Sequence, residues 1–435
     1  MNFRLVCGGC GTEADPADPY PFRCPKAGTD DGDHVLVREL DTSSVSWPSG
    51  SEETNPFVRY AGLFHWAGLG DLDVPAMTRE LDDAVALVDG HGFAVTSFGR
   101  ADELSTATRF TDDGGVWVKK ETGNVSGSHK ARHLMGLLLH LEAVERLGLV
   151  DTANRPSLAI ASCGNAALAA AVVARAGERE LRVFVPVDAD QVVVARLEEL
   201  GAHIEVCERR PGEAGDPTYL RLLDAIAQGA LPFTCQGNLN GLAIEGGETL
   251  AYELADQLHG ERLDHVVVQV GGGALASAVI QGLREAHELG ALAAMPRVHT
   301  VQTEGAHPLE RAFHRVAAMV EHGEAAADAV RIAGQHRSDY MWPWEDEPKS
   351  IAHGILDDET YDWRAVVEGM LATGGRPVVV DEETLVRANE MAMDATGIPV
   401  DHTGSSGLAG LIALRAEGVI GDHDRVAVLF TGVRR

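Results

Sequence analysis

Three stretches of the chain carry residue types that could act as one catalytic set. Residues 126–132 read SGSHKAR and put a lone lysine, Lys130, where a Gly/Ser-rich turn meets an apolar-periodic run. A cation in the first turn of a helix opposes the macrodipole and costs up to about 1 kcal/mol, so a role other than helix stability is expected there. Residues 270–278, VGGGALASA, set Gly271, Gly272, Gly273 and Ala274 between an apolar strand and a helix. Backbone N–H groups reach an anion only where no Cβ intervenes, and the helix that follows adds its positive end, so this turn reads as a phosphate cradle. Residues 162–169, SCGNAALA, and the terminal FTGVRR place Ser162, Cys163, Gly164, Asn165 and Thr431 at two further strand ends.

A lysine flanked by a small-residue turn and an apolar helix is expected to be buried. Desolvation and the helix dipole would then favour the neutral amine, the form that attacks a carbonyl. An amine nucleophile beside a phosphate cradle calls for a phosphorylated carbonyl cofactor, of which pyridoxal phosphate is the common one. The triple glycine lacks both the trailing Lys-Ser/Thr of a P-loop and the G-x-G-x-x-G spacing, so a nucleotide is the weaker candidate.

These residues must be positioned by the elements around them. Predicted strands at 116–121, 157–162, 181–187, 203–207, 231–236, 265–270, 297–302 and 425–430 alternate with helices at 129–147, 165–176, 190–200, 217–228, 242–258, 275–288, 382–395 and 406–417. Strands apolar on both faces and separated by such helices imply α/β architecture, with parallel sheets covered on both sides. In doubly wound folds ligands sit beyond the carboxyl ends of the strands, where all the residues named above fall. Segment 322–365 breaks the rhythm and holds Trp342, Trp344 and Trp363. It reads as a packed excursion over the core, with a substrate-facing lid as the alternative.

A chain of 435 residues accommodates two domains. With 36 Lys+Arg against 66 Asp+Glu the net charge is −30, a field that repels nucleic-acid phosphates and anionic lipid and excludes both as partners. No apolar run approaches the roughly 20 residues of a membrane span, and MNFRLVCGGCG lacks the features of a signal peptide, so a cytoplasmic protein is expected. Its six cysteines are then expected to be reduced thiols. CGGC at 7–10 followed by RCPKAG at 23–28 looks like a zinc ribbon short of one ligand, because Lys26 and Ala27 stand where a fourth cysteine is expected. His34 could complete a Cys3His set with Cys7, Cys10 and Cys24, but at an unusual spacing. The expectation is that no metal is bound.

The series KKETGNVSGSHKAR, SCGNAALA, EGGETLAYEL, VGGGALASAV, SIAHGI, HTGSSGLAGL and LFTG resembles, in order, the landmarks of the fold type II pyridoxal phosphate enzymes, the tryptophan synthase β-like superfamily. Threonine synthase and threonine dehydratase are the nearest relatives by this reading, and the likeness runs from about residue 95 to the C-terminus. It implies two doubly wound α/β domains with mostly parallel sheets and the cofactor in the cleft between them. Residues 1–45 would form a cysteine-bearing segment, 46–90 with 129–234 a smaller mobile domain, and 91–128 with 235–435 a larger cofactor-binding domain carrying the 322–365 insertion.

The resemblance further implies roles for single residues. Lys130 would form the Schiff base with pyridoxal phosphate and later move the substrate Cα proton. Gly271, Gly272, Gly273 and Ala274 would hold the phosphate, Asn165 the ring 3′-oxygen, and the Ser162–Cys163–Gly164–Asn165 loop the substrate carboxylate. Thr431 would face the pyridine nitrogen, with Ser128 and His129 as further cofactor contacts. A neutral hydroxyl at the ring nitrogen makes a weaker electron sink than an aspartate would, which biases the chemistry towards expelling a β or γ leaving group from an amino acid. The resemblance therefore implies a threonine synthase-like lyase catalysing elimination or replacement, with an ammonia-lyase releasing a 2-oxo acid as the alternative and a homodimer as the expected assembly. His129 and His133 depart from the Phe and Gly common in these relatives, and Ala131 from the Asp usual in threonine synthase. A non-catalytic ligand-binding homologue is the reading from another class, and retention of the full residue set argues against it.

Overall fold

The computed structural model describes residues 2–111, 113–210, 213 and 215–435. Two parallel sheets carry the chain. The first has six strands in the order Pro377–Val380, Arg297–Thr303, His265–Gln269, Arg425–Phe430, Gly115–Lys120 and Phe98–Arg100, all parallel except the last. The second has four parallel strands in the order His203–Cys207, Leu181–Pro186, Leu158–Ala161 and Leu231–Pro232. A two-stranded antiparallel sheet, Phe3–Cys7 with Leu36–Leu40, stands apart at the N-terminus. The expected mixed α/β architecture with mostly parallel sheets is the one observed.

The six-stranded sheet is covered on both faces, which is why its strands are apolar throughout. Val266 and Val268 join the core under one helical layer, whereas Val267 between them joins the core under the other. All eight predicted strands and all eight predicted helices are present, with Leu231–Pro232 shorter than its predicted range. The sequence reading misses the short strands 3–7, 36–40, 98–100 and 377–380. It also misses the longer helices Val74–Asp89, Pro308–Glu321, Ala326–Gln335 and Trp363–Thr373.

Helix Lys130–Arg146 runs through the interior, with Ala131 to Leu141 buried without a break. A helix buried all round needs close neighbours on every side, and glycine supplies one. A Cβ at Gly136 would meet the Gly246 backbone of helix Ala243–Gln257 at 2.8 Å, so the EGGETL motif marks a helix crossing at backbone contact. A buried charge cluster fixes the same helix. Arg132 bonds Glu121 at 2.8 Å, beyond strand Gly115–Lys120, and Glu253 at 2.6 Å, and Glu253 also pairs with Lys119 at 2.6 Å. Two cations and two carboxylates close the set at zero net charge, with each oxygen and nitrogen in the fork used, the condition under which a buried ion pair is tolerated.

The N-terminal sheet is tied to the body in the same manner. Arg38 reaches Glu245, Glu248 and Glu285 from its strand, all at 4% side-chain exposure or less. One guanidinium against three carboxylates leaves excess negative charge. Burial and the two other glutamates push Glu248 up to about 8, even though Arg38 pulls the other way, so that group is held as the acid at neutral pH. Among the described residues no helix is long and apolar enough to cross a membrane.

Candidate functional site

Parallel strands deliver their carboxyl ends to one edge, and the singled-out residues gather there. Lys130 is the first residue of its helix, after His129 at the N-cap, as the sequence predicts. It is half-buried, although the turn before it is largely buried, with Val125, Ser126, Ser128 and His129 all enclosed. That turn is strained: Ser126 has φ 57° and Gly127 φ 73°, and a Cβ at Gly127 would strike Val433. The His129 N–H donates to Thr431 O at 3.2 Å, and Ser128 bridges to Gly432, so the Lys130 turn is stitched to the end of strand Arg425–Phe430.

Thr431 lies buried at that strand end, where Gln269 Nε2 approaches its Oγ1 at 2.7 Å. The same Nε2 donates to Gly404 O and Leu429 O, which fixes the amide orientation. The Thr431 oxygen can therefore only accept from Gln269, and its own proton is free to be given elsewhere. Asn165 opens helix Asn165–Ala176, its Oδ1 accepting from the Arg435 guanidinium and its amide facing the Asp401 carboxyl. A Cβ at Gly432 would fall 2.8 Å from Asn165 Nδ2, so the loop of the four-stranded sheet meets the end of the six-stranded one. On that loop Ser162 and Gly164 are half-buried and Cys163 is exposed.

At the glycine turn, Gly273 has φ 100°, the left-handed region, and Cβ atoms at Gly271, Gly272 and Gly273 would meet Asp357, Tyr361 and Thr360. Ala274 begins helix Ala274–Glu288 there. The segment that meets the glycines is the aromatic excursion. Thr360 Oγ1 donates to Gly271 O at 3.0 Å, and the Asp362 N–H donates to Gly272 O at 3.0 Å. Tyr361 stacks on Tyr219 at 6.2 Å between centroids, so the excursion touches both sides of the cleft. Trp363 is wholly buried, and Trp342 lies 3.6 Å from the Arg311 guanidinium, so these two rings pack the protein rather than face a ligand.

Electrostatics sharpen the picture. Burial pushes the Asp357 carboxyl up to about 6, against the opposing pull of Lys130 and the Gly272 N–H. Burial and the neighbouring Asp33 push Asp362 up to about 8. Burial, reinforced by the Lys130 charge, drives His133 down to about 3 and His129 well below the usual range, so both imidazoles beside Lys130 are neutral. The Asp357 carboxylate on the Gly272 amide is an anion in the cradle. Among the described residues Ser128 Oγ, His129 Nε2, His133 Nε2, Gln236 Oε1 and Asn238 Oδ1 are buried without a partner. Buried polar atoms left open call for a polar ligand, and a glycine turn that a Cβ would block suits a phosphate, so the site fits pyridoxal phosphate.

Asp357, Tyr361, Asp362, Gln269 and Arg435 were not singled out from the sequence. The available signal was the quoted SIAHGI followed by an acidic and aromatic run, together with Gln269 just before the triple glycine.

The chain belongs to the pyridoxal-phosphate dependent enzyme family, whose model matches residues 95–432. Its sequence is 26% identical to a threonine synthase of Methanocaldococcus jannaschii over 73% of this chain and 69% of the relative. It is 25% identical to a threonine synthase of Mycobacterium tuberculosis over 76% and 80%. The fold matches maize serine racemase with a TM-score of 0.59 at 18% identity, covering 83% of this chain and 93% of that one. It also matches the processed form of threonine deaminase isoform 2 from Solanum lycopersicum with a TM-score of 0.58 at 16% identity, over 84% and 91%.

Proposed function

We propose that the chain is a lyase-type enzyme of this family acting on an amino acid with a leaving group at the β or γ carbon, in the manner of a threonine synthase. The observation that carries the reading is the convergence of Lys130, Thr431, Asn165 and the Gly271–Ala274 turn where the carboxyl ends of the two sheets meet. Bound there, the cofactor supplies an electron-withdrawing ring that acidifies the substrate Cα–H. Lys130 Nζ is the group that holds the cofactor and then takes and returns the proton. The amides of Gly271–Ala274 bind the phosphate, and Asn165 orients the ring. Thr431, whose oxygen already accepts from Gln269, would donate a hydrogen bond from its hydroxyl to the ring nitrogen without transferring the proton. A ring tuned in this way favours loss of a leaving group over transamination. The Ser162–Asn165 loop receives the substrate carboxylate, and the smaller domain that carries it moves over the bound substrate.

The test is to offer serine, threonine, O-phosphoserine and O-phosphohomoserine to the holoenzyme and follow phosphate, 2-oxo acid and amino-acid products. Phosphate release with formation of a new amino acid is the expected result. Oxo acid formed without an added nucleophile selects the ammonia-lyase alternative, and turnover of none of the four overturns the reading.

Asp357 gives a second expected outcome. Its carboxylate and the cofactor phosphate compete for the Gly272 amide, so Asp357→Asn is expected to tighten cofactor binding several-fold at pH 7.5. Because Asp357 is neutral below about 6, the affinity ratio of the variant to the wild type falls towards one as pH drops through that value. Titrating the apoprotein with cofactor at a series of pH values measures the ratio. Equal affinity at pH 7.5 would show that the carboxylate does not contest the cradle.

A further inference from the structure

The N-terminal cysteines take no part in the chemistry above, yet they are built into a site. Cys7, Cys10, Cys24 and His34 each turn one ligand atom into a common space, and the four atoms lie within 4.8 Å of one another. Cys7 Sγ is 3.5 Å from His34 Nδ1, and Cys10 Sγ is 3.7 Å from Cys24 Sγ. Zinc bonds of about 2.3 Å to sulfur and 2.0–2.1 Å to nitrogen put neighbouring tetrahedral ligands about 3.5–3.8 Å apart, the lengths seen on these two edges. The three cysteines are free of disulfide, and Cys7, Cys24 and His34 are buried.

The surroundings are those of a ligand set. Asp30 Oδ1 lies 2.8 Å from His34 Nε2, so the imidazole gives its proton to the carboxylate and keeps the Nδ1 lone pair for the cluster. The Lys26 N–H points at Cys24 Sγ at 3.4 Å, and Thr12 Oγ1 lies 3.2 Å from Cys10 Sγ, two donors for thiolates. The turn between Cys7 and Cys10 is closed by the Gly11 N–H on Cys7 O at 2.8 Å, with Gly11 at φ 70°. Pairing of Cys7 with Leu36 across the antiparallel sheet carries His34 alongside, which supplies the ligand that no second C-x2-C knuckle provides.

We propose that Cys7, Cys10, Cys24 and His34 bind one zinc ion as a closed Cys3His structural site, in place of the metal-free segment expected from the sequence. Three thiolates and one imidazole fill the tetrahedron and leave no position open for substrate, and soft thiolates favour zinc over magnesium or calcium. Binding displaces the three thiol protons to solvent. The ion clamps the base of the aromatic excursion. The Asp33 N–H donates to Gly334 O at 2.7 Å, Trp363 Nε1 donates to Asp33 Oδ1 at 3.1 Å, and Ser338 Oγ donates to Asp31 Oδ2 at 2.7 Å. Thr360 and Asp362, just ahead of Trp363, are the residues that line Gly273.

The test is elemental analysis of the holoenzyme purified without a metal-affinity step from cells grown with zinc. About one zinc per chain is expected, and in Cys24→Ser a loss of most of it. Should that variant fail to fold, the wild-type protein decides. Exchange with cobalt is expected to give the visible and near-ultraviolet bands of a tetrahedral thiolate site, and a strong chelator is expected to lower the melting temperature. Wild-type protein that carries no zinc and leaves cobalt in its aqueous spectrum overturns the proposal, as does a Cys10–Cys24 disulfide found by peptide mass mapping of freshly purified protein.

Discussion

Lys130→Ala is expected to lower kcat by roughly 10³-fold or more while leaving the protein folded, the pattern for loss of a group that acts on the reacting atoms. The structure separates the two readouts. Lys130 is half-buried and holds no ion pair among the described residues, so truncating it removes little packing and no charge partner. The melting temperature of the apoprotein should stay within a few degrees of wild type, because substitutions away from core, cap and charge network cost little. A variant that kept activity above about a tenth of wild type would remove Lys130 from the chemistry.

The second large effect lies two residues further on. Arg132→Met is expected to cost about 3–5 kcal/mol, because it strands Glu121 and Glu253 in the interior with Lys119 as their only cation. For a chain of this size that corresponds to a fall of roughly 3–6 °C in melting temperature. Removing a carboxylate with the cation, in Arg132→Met with Glu121→Gln, should recover part of the loss, the mark of a charge imbalance rather than a packing defect. The pH dependence carries a sign as well. Burial pushes Glu121 up, but Arg132 and Lys119 more than offset it and hold the carboxyl down to about 2. The contribution of this pair is therefore complete above the unfolded value near 4.5 and is lost as pH falls towards 2. Because the cluster anchors the first turn of the Lys130 helix, the single variant should also bind cofactor more weakly.

The part of the site that could be read from the sequence is the part with a local signature. Lys130, Asn165, the triple glycine and Thr431 each follow an apolar run, and the doubly wound arrangement sends every such junction to one edge. Asp357 and Tyr361 had no comparable mark. Their approach to Gly271 and Gly272 is a tertiary contact made by a segment without strand or helix periodicity. Trp363 shows the converse, a conspicuous residue whose indole turns inward to Asp33. His34 escaped a spacing rule because strand pairing, rather than a second knuckle, brings it to Cys7. The short strands 98–100 and 377–380 lie at the sheet edges, where few residues and one neighbour leave little pattern. Lys130 itself is expected from the sequence to be buried and is half-buried, although the Ser126–His129 turn before it is largely enclosed.

On the proposed reading Lys130 is the residue that holds the cofactor, in a site shared with Gly271–Ala274, Asn165 and Thr431. The most direct measurement is borohydride reduction of the holoenzyme followed by peptide mass mapping. One cofactor mass per chain is expected, carried on the peptide that contains Lys130. Label on Lys119 or Lys120 instead, or no label on any lysine, would contradict it.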